Sequence, residues 1–163
     1  MIQKWHQHLG VYGICLNEIQ ELLVVLKNGG PYTGRYDLPG GSLENRESLV
    51  DCLIREMKEE TGAIIEILDN LGSYDFLVKA PYDGCEFTHH IALLYKVRIK
   101  GFFNGPYEHY VFNKEKLIVN DASRIEWVDI NMINSENSSP LVIKVLEIIK
   151  NGSGDNNMSE YLN

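Results

Sequence analysis

The hexapeptide Arg55-Glu56-Met57-Lys58-Glu59-Glu60 sets three carboxylates within five consecutive positions. Wound as a helix at about 100° per residue, Leu49, Val50, Leu53, Ile54 and Met57 form one apolar stripe. With Leu49 as zero, the stripe spans about 0° to 140°, and Glu56 and Glu60 fall near 340° and 20°, at its edge. Glu59 lies near 280° and Arg55 near 240°, whereas Lys58 and Asp51 point away from the core. Like charges at i,i+3 and i,i+4 repel, and a carboxylate beside a core carries a desolvation cost. A divalent cation offsets both penalties, and hard oxygen ligands at this spacing suit Mg²⁺ or Mn²⁺. Taken alone, the helix is equally readable as a solvated acidic face with Arg55 and Lys58 as partners.

The elements that must position this helix follow from periodicity and turn chemistry. Leu9 to Leu16 and Leu22 to Leu26 are apolar, β-branched runs that read as two strands joined through Asn17-Glu18-Ile19-Gln20. Asn28 to Gly34 is a turn-rich loop, and Arg35 to Leu38 reads as a short strand leading into Pro39-Gly40-Gly41. The helix is expected over Leu49 to Thr61, with Ser48 as N-cap, Asp51 as its capping-box partner and Gly62 at the left-handed C-cap. Ile64 to Leu68, Gly72 to Val78, His90 to Ile99 and Arg124 to Val128 read as further strands. Leu141 to Lys150, after Pro140, reads as an amphipathic helix. The pattern predicts an α/β fold, a mixed sheet sandwiched between helices, in one domain over residues 1–150. Residues 151–163 read as a polar, mobile tail.

Composition narrows the function classes. The 163 residues suit a single core-bearing domain, and no apolar run reaches the length of a membrane span. A net charge of −8 argues against a partner of extended nucleic acid, which needs a basic stripe, while leaving room for a small anion bound through a metal. Cys15, Cys52 and Cys85 are odd in number and unpaired in spacing, which fits free thiols in a reducing cytoplasm.

The surroundings of the acidic helix resemble the signature of the Nudix hydrolases, G-x5-E-x7-R-E-U-x-E-E-x-G-U, with U a bulky aliphatic residue. Gly41, Glu47, Arg55, Glu56, Met57, Glu59, Glu60 and Gly62 occupy its positions, and Ala63 is the one departure, small where a larger side chain is usual. Leu38-Pro39-Gly40 and Glu44 resemble the family's lead-in, and Glu126-Trp127-Val128 resembles the strand before its last helix. The resemblance covers roughly Leu9 to Lys150 and implies the Nudix fold. It further implies Mg²⁺-dependent cleavage, by activated water, of a diphosphate linkage in a small nucleoside diphosphate derivative, and homodimers are frequent in the family. By the same resemblance the Gly40 carbonyl, Glu56, Glu59 and Glu60 are metal ligands, Glu56 is the first candidate base, and Arg55 and Glu47 orient the ligands. Asp121 is the outside candidate for base or ligand, with a turn-forming role in Asn120-Asp121-Ala122-Ser123 as its alternative; Glu86, Glu108 and Glu115 are weaker.

Arg35 and Tyr36 either touch substrate or simply end a strand, and Tyr32, Tyr36, Phe76, Tyr82 and Phe87 are aromatics able to stack a base or anchor the core. His89 and His90 point to opposite faces of a strand and read as structural, and His6, His8 and His109 have no supporting context. Substrate marks that family members carry after the signature are missing: Lys79 stands where dinucleoside polyphosphate hydrolases carry tyrosine, and Val78 where ADP-ribose hydrolases carry proline, with Pro81 displaced. A nucleoside triphosphate is the default that remains. The alternatives are a non-catalytic sensor of an ADP-ribose-like ligand and a pyrophosphohydrolase of RNA 5′ ends.

Overall fold

The structure, a computed structural model, describes residues 4–103 and 122–161. Chain order runs β1 (Trp5–Ile14), β2 (Glu21–Lys27), β3 (Tyr36–Asp37), β4 (Gly40–Ser42), α1 (Leu49–Thr61), β5 (Ala63–Val78), β6 (Phe87–Phe102), β7 (Ala122–Asp129), a 3-10 turn (Ile130–Met132), α2 (Pro140–Asn151) and β8 (Ser159–Tyr161). One sheet has strand order β4-β1-β6-β5-β8 and a smaller one has β3-β2-β7. The large sheet is mixed: β1 runs parallel to β6 and β8 parallel to β5, while β4–β1 and β5–β6 are antiparallel.

Two cores divide the apolar residues. One joins the two sheets and α2 through side chains such as Ile14, Val24, Leu94, Leu141 and Val145; the other packs α1 on the opposite side through Val11, Leu23, Leu53, Met57 and Val97. The expected mixed sheet between helices is present as two sheets, and the chain passes from β1 into β2 through an antiparallel Leu16–Leu22 bridge. No helix of the described residues is long and apolar enough to cross a membrane.

α1 spans the residues read from its caps. Ser48 Oγ accepts from the Asp51 amide at 3.1 Å and donates to the Asp51 carboxylate at 2.7 Å. Gly62 takes the left-handed conformation, φ 71°, and closes the last turn on the Lys58 carbonyl. The helix is rotated, however, relative to its apolar stripe. Val50 is 43% and Ile54 46% exposed, while Cys52, Leu53, Met57, Glu60 and Thr61 are buried. The buried arc is thereby displaced toward the acidic flank, so Glu60 sits inside the interface with the sheet instead of at its border.

Three further features depart from the linear pattern. The runs read as separate strands at Ile64 to Leu68 and Gly72 to Val78 are one strand, β5, whose pairing with β6 shifts register three times between Ile64 and Gly72. Gly40–Ser42, placed beyond the end of the expected strand Arg35 to Leu38, is an edge strand paired with Gly10 to Tyr12. Within the segment read as a mobile tail, Ser159–Tyr161 pair in parallel with Phe76 to Val78, and Lys144 Nζ donates to the Asp155 carbonyl at 2.9 Å. An open sheet edge and a basic side chain on α2 thus capture a polar segment that has little apolar drive of its own. Deleting residues 152–163 is expected to lower stability by about 1–2 kcal/mol, a few degrees in thermal midpoint, measured by circular dichroism. An unchanged midpoint would mean that the β8 edge contributes nothing.

Candidate active site

β1, β4, α1, and the loops after β2 and β5 surround an open cavity of roughly 1110 Å³. Gly40 and Gly41, Glu56, Glu59, Glu60 and Arg55 line one end. Glycine at the first two positions of β4 follows from close packing. At Gly40, φ is +148° and an added Cβ would lie 2.2 Å from the Val11 carbonyl oxygen; at Gly41 it would lie 2.7 Å from the Glu56 carboxylate. The edge strand therefore brings its backbone directly against the acidic helix.

Glu60 is the most deeply set of the acids, 6% exposed. Its Oε2 accepts from the Gly40 amide at 2.9 Å, and its Oε1 lies 3.5 Å from Lys27 Nζ. Burial pushes its carboxyl up to about 7, against the opposing pull of Lys27 and the Gly40 N–H. Glu56 is half-buried and likewise raised by burial, with the Arg55 hydrogen bond acting the other way. Glu59 lies at the more open mouth of this cluster.

Arg55 organises the remainder. Its Nε and Nη2 bind the two Glu47 oxygens at 2.7 and 3.0 Å, and its Nη1 reaches Glu56 Oε1 at 2.7 Å and Glu59 Oε2 at 3.5 Å. Nη2 also donates to the Ser42 carbonyl at 3.0 Å, tying β4 to the clamp. The Arg55 hydrogen bonds hold Glu47 down to about 2, and Glu47 in turn accepts from the Glu44 amide. Among the described residues no three acidic, histidine or cysteine side chains converge as a finished metal cage. The donor set still fits Mg²⁺. This ion takes one or two carboxylates and completes its shell with water and substrate phosphates, and Glu56, Glu59 and the Gly40 carbonyl offer hard oxygens at the cavity wall.

The other candidates separate. Arg35 and Tyr36 do not reach the cavity: Arg35 Nη1 donates to the Ser135 and Glu136 carbonyls at 2.7 and 2.9 Å, and the Tyr36 hydroxyl donates to Glu126 at 3.0 Å. Arg35 thus holds the loop before α2, and the Tyr36 side chain ties β3 to β7. Asp121, Glu108, Glu115 and His109 lie outside the described residues. Glu86 is exposed and away from the cavity lining. His89 pairs with Asp75 at 2.5 Å.

Several lining residues carry no local signal in the sequence. Asp37 is buried, accepts from the Ser139 hydroxyl at 2.6 Å and so joins β3 to the N-cap of α2; burial raises its pKa, with Lys27 opposing. His90 is buried between two tyrosines, its Nε2 2.8 Å from the Tyr12 hydroxyl and its Nδ1 3.0 Å from that of Tyr32. Burial holds it well below the usual imidazole range, so one ring nitrogen donates and the other accepts. His8 packs edge-on against His90 at 4.7 Å, and His6 and Tyr82 meet near the far end of the cavity. Only the parallel register of β1 on β6 assembles this wall, a long-range fact that no spacing encodes.

Comparison with known proteins agrees with this geometry. The model of the NUDIX domain matches residues 6–146. The ADP-ribose pyrophosphatase of Methanocaldococcus jannaschii is 39% identical over 69 residues, which are 42% of this chain and 40% of that protein. A putative 8-oxo-dGTP diphosphatase of Bacillus subtilis is 37% identical over 65 residues, 40% of this chain and 42% of that protein. The chain thus spans about two fifths of the length of these curated relatives. The crystal structure of the MutT protein from Methanosarcina mazei Go1 superposes with a TM-score of 0.63 at 20% identity, covering 93% of this chain and 97% of that one, which is a likeness of fold. The chain belongs to the Nudix hydrolase family.

The raised pKa of Glu60 has a defined sign in stability. Between the ordinary carboxylate value of 4.5 and about 7 the folded chain holds more protons than the unfolded chain, so stability falls as pH rises through that window. In EDTA, urea midpoints are expected to decline from pH 4.5 to 7.5, with a contribution of a few kcal/mol at most. Glu60→Gln should flatten the profile; an equally steep decline in that variant would remove Glu60 as its cause.

Proposed function

We propose that this protein is a Mg²⁺-dependent pyrophosphohydrolase that cleaves the diphosphate linkage of a small nucleoside diphosphate derivative. The observation that carries the reading is the acidic end of the cavity, where a glycine edge strand packs against Glu56, Glu59 and Glu60 with Arg55 between the carboxylates. Glu56, Glu59 and the Gly40 carbonyl would hold the ion, with Glu60 in support. When bound, it supplies charge neutralisation of the diphosphate and a lower pKa for an attacking water.

The chain's own residues do the rest. Glu56, half-buried at the cavity wall, is placed to accept a proton from water at Oε2, the oxygen that the Arg55 bond leaves open. Arg55, fixed by both oxygens of Glu47, keeps Glu56 turned into the cavity, and the Gly40 amide sets Glu60. Lys27, which lines the same cavity, adds positive potential beside the acids. The names of the matching relatives, one concerning ADP-ribose and the other 8-oxo-dGTP, both specify a nucleoside carrying at least two phosphates, which supports the substrate class without choosing a member.

With Mg²⁺ and a panel of ADP-ribose, dGTP, 8-oxo-dGTP and NADH, release of phosphate, pyrophosphate or nucleoside monophosphate is expected for at least one compound. Glu56→Gln and Glu59→Gln should each lower kcat on it by roughly 10²- to 10⁴-fold. No turnover of any compound, with tight calorimetric binding of ADP-ribose, would point instead to a sensor. Preference for triphosphorylated RNA over every free nucleotide would move the substrate to RNA 5′ ends.

A further inference from the structure

The aromatic residues able to stack a base separate once their surroundings are known. Phe76 is buried in the core, Phe87 lies against Trp5 at 5.6 Å outside the cavity lining, and Tyr36 is tied to Glu126. Tyr32 lines the cavity but is only 4% exposed, with its hydroxyl on His90. Tyr82 also lines the cavity, and it is 60% exposed.

Its position is fixed by backbone. Tyr82 and Cys85 exchange hydrogen bonds of 3.0 and 2.9 Å, and the two residues between them, Asp83 and Gly84, have φ of 44° and 76°. Positive φ at both central positions marks a tight hairpin turn of the type that matches strand twist. The Tyr82 ring rests against His6 at 4.3 Å between centroids, tilted by 36°. His6 belongs to β1, whose register places it beside Thr88 of β6. Two segments distant in sequence therefore present a pair of flat rings on one wall.

That pair is well separated from the acids. Tyr12 is paired with Gly40 at the acidic end, and His6 lies six residues away on the same strand. At a rise of about 3.3 Å per residue the two backbone positions lie roughly 20 Å apart, more than a diphosphate alone fills, which leaves room for an attached nucleoside between them. We propose that Tyr82, backed by His6, is the stacking residue for the nucleobase of the substrate and hence a determinant of specificity. The proposal rests on the reading of the acidic end as a diphosphate site. Flat π-faces favour a ring system over the sugar or phosphate moieties, and stacking tolerates different bases, in keeping with relatives named for adenine and guanine compounds.

The test compares the unaltered protein with Tyr82→Ala, Tyr82→Phe and His6→Ala. Steady-state kinetics with Mg²⁺ are run on whichever of ADP-ribose, dGTP, 8-oxo-dGTP and NADH is turned over. Calorimetry in EDTA compares AMP and dGMP with ribose 5-phosphate. Tyr82→Ala should raise KM about ten- to hundredfold with kcat within about twofold, and should abolish the preference for nucleotide over ribose 5-phosphate. Tyr82→Phe should behave as the unaltered protein, and His6→Ala should shift KM in the same direction by less. Because Tyr82 is exposed, its thermal midpoint should not move; if it does, His6→Ala alone decides. Turnover with an unchanged KM, or a fall in kcat alone, overturns the stacking assignment and leaves the hydrolase reading intact. An unaltered protein that neither cleaves nor binds any nucleotide overturns both.

Discussion

A carboxylate placed inside a protein must be answered by its neighbours, and the answer given to Glu60 draws three elements together. Its oxygens meet the Gly40 amide of β4 and the Lys27 ammonium of β2, so α1 is joined at one residue to both sheets. The helix cannot roll back to bury Val50 and Ile54 without withdrawing Glu60 from these partners. Left without them, a buried carboxylate costs several kcal/mol. This tension sets the rotation of α1, and the rotation in turn directs Glu56 and Glu59 at the cavity.

Around that point the glycines and Arg55 act as spacers and struts. Gly41 admits the Glu56 carboxylate, which a side chain there would displace, and Arg55 distributes one cation over Glu47, Glu56, Glu59 and the Ser42 carbonyl. Like-charged groups are thus held near one another without direct contact. Arginine suits this place because its planar fork reaches several acceptors at once, which a lysine could not reproduce. The far wall uses neutral chemistry instead, with His90 fixed between Tyr12 and Tyr32.

How much of this was readable in advance depended on the range of each interaction. The limits of α1 were legible because Ser48, Asp51 and Gly62 act within a few residues of their own positions. The acidic cluster and its glycines were legible because their spacing is a local pattern matched by a family. The helix rotation was not, since Val50 and Ile54 are apolar in sequence yet lie outside the contact that Glu60 dictates. Gly40–Ser42 carries no strand propensity and becomes a strand only by pairing with β1. The roles of His6, His8 and His90 depend on β1 lying parallel to β6, and Arg35 and Tyr36, shortly before the signature in sequence, are turned to the loop before α2 and to β7 respectively.

The parallel pairing of β1 with β6 also bears on how the molecule comes into being. Tyr12 and His90 are 78 residues apart, and Tyr32 and His90 are 58 apart, whereas the acidic helix and its caps are complete within about four turns. Closing long loops is entropically expensive and slow, while a capped helix forms locally and early. On a ribosome the carboxylates would emerge well before β6 exists to build the opposite wall. The nascent chain therefore carries a charged helix with no cavity for some time, and it becomes able to hold a ligand only late, when the first strand closes onto the sixth.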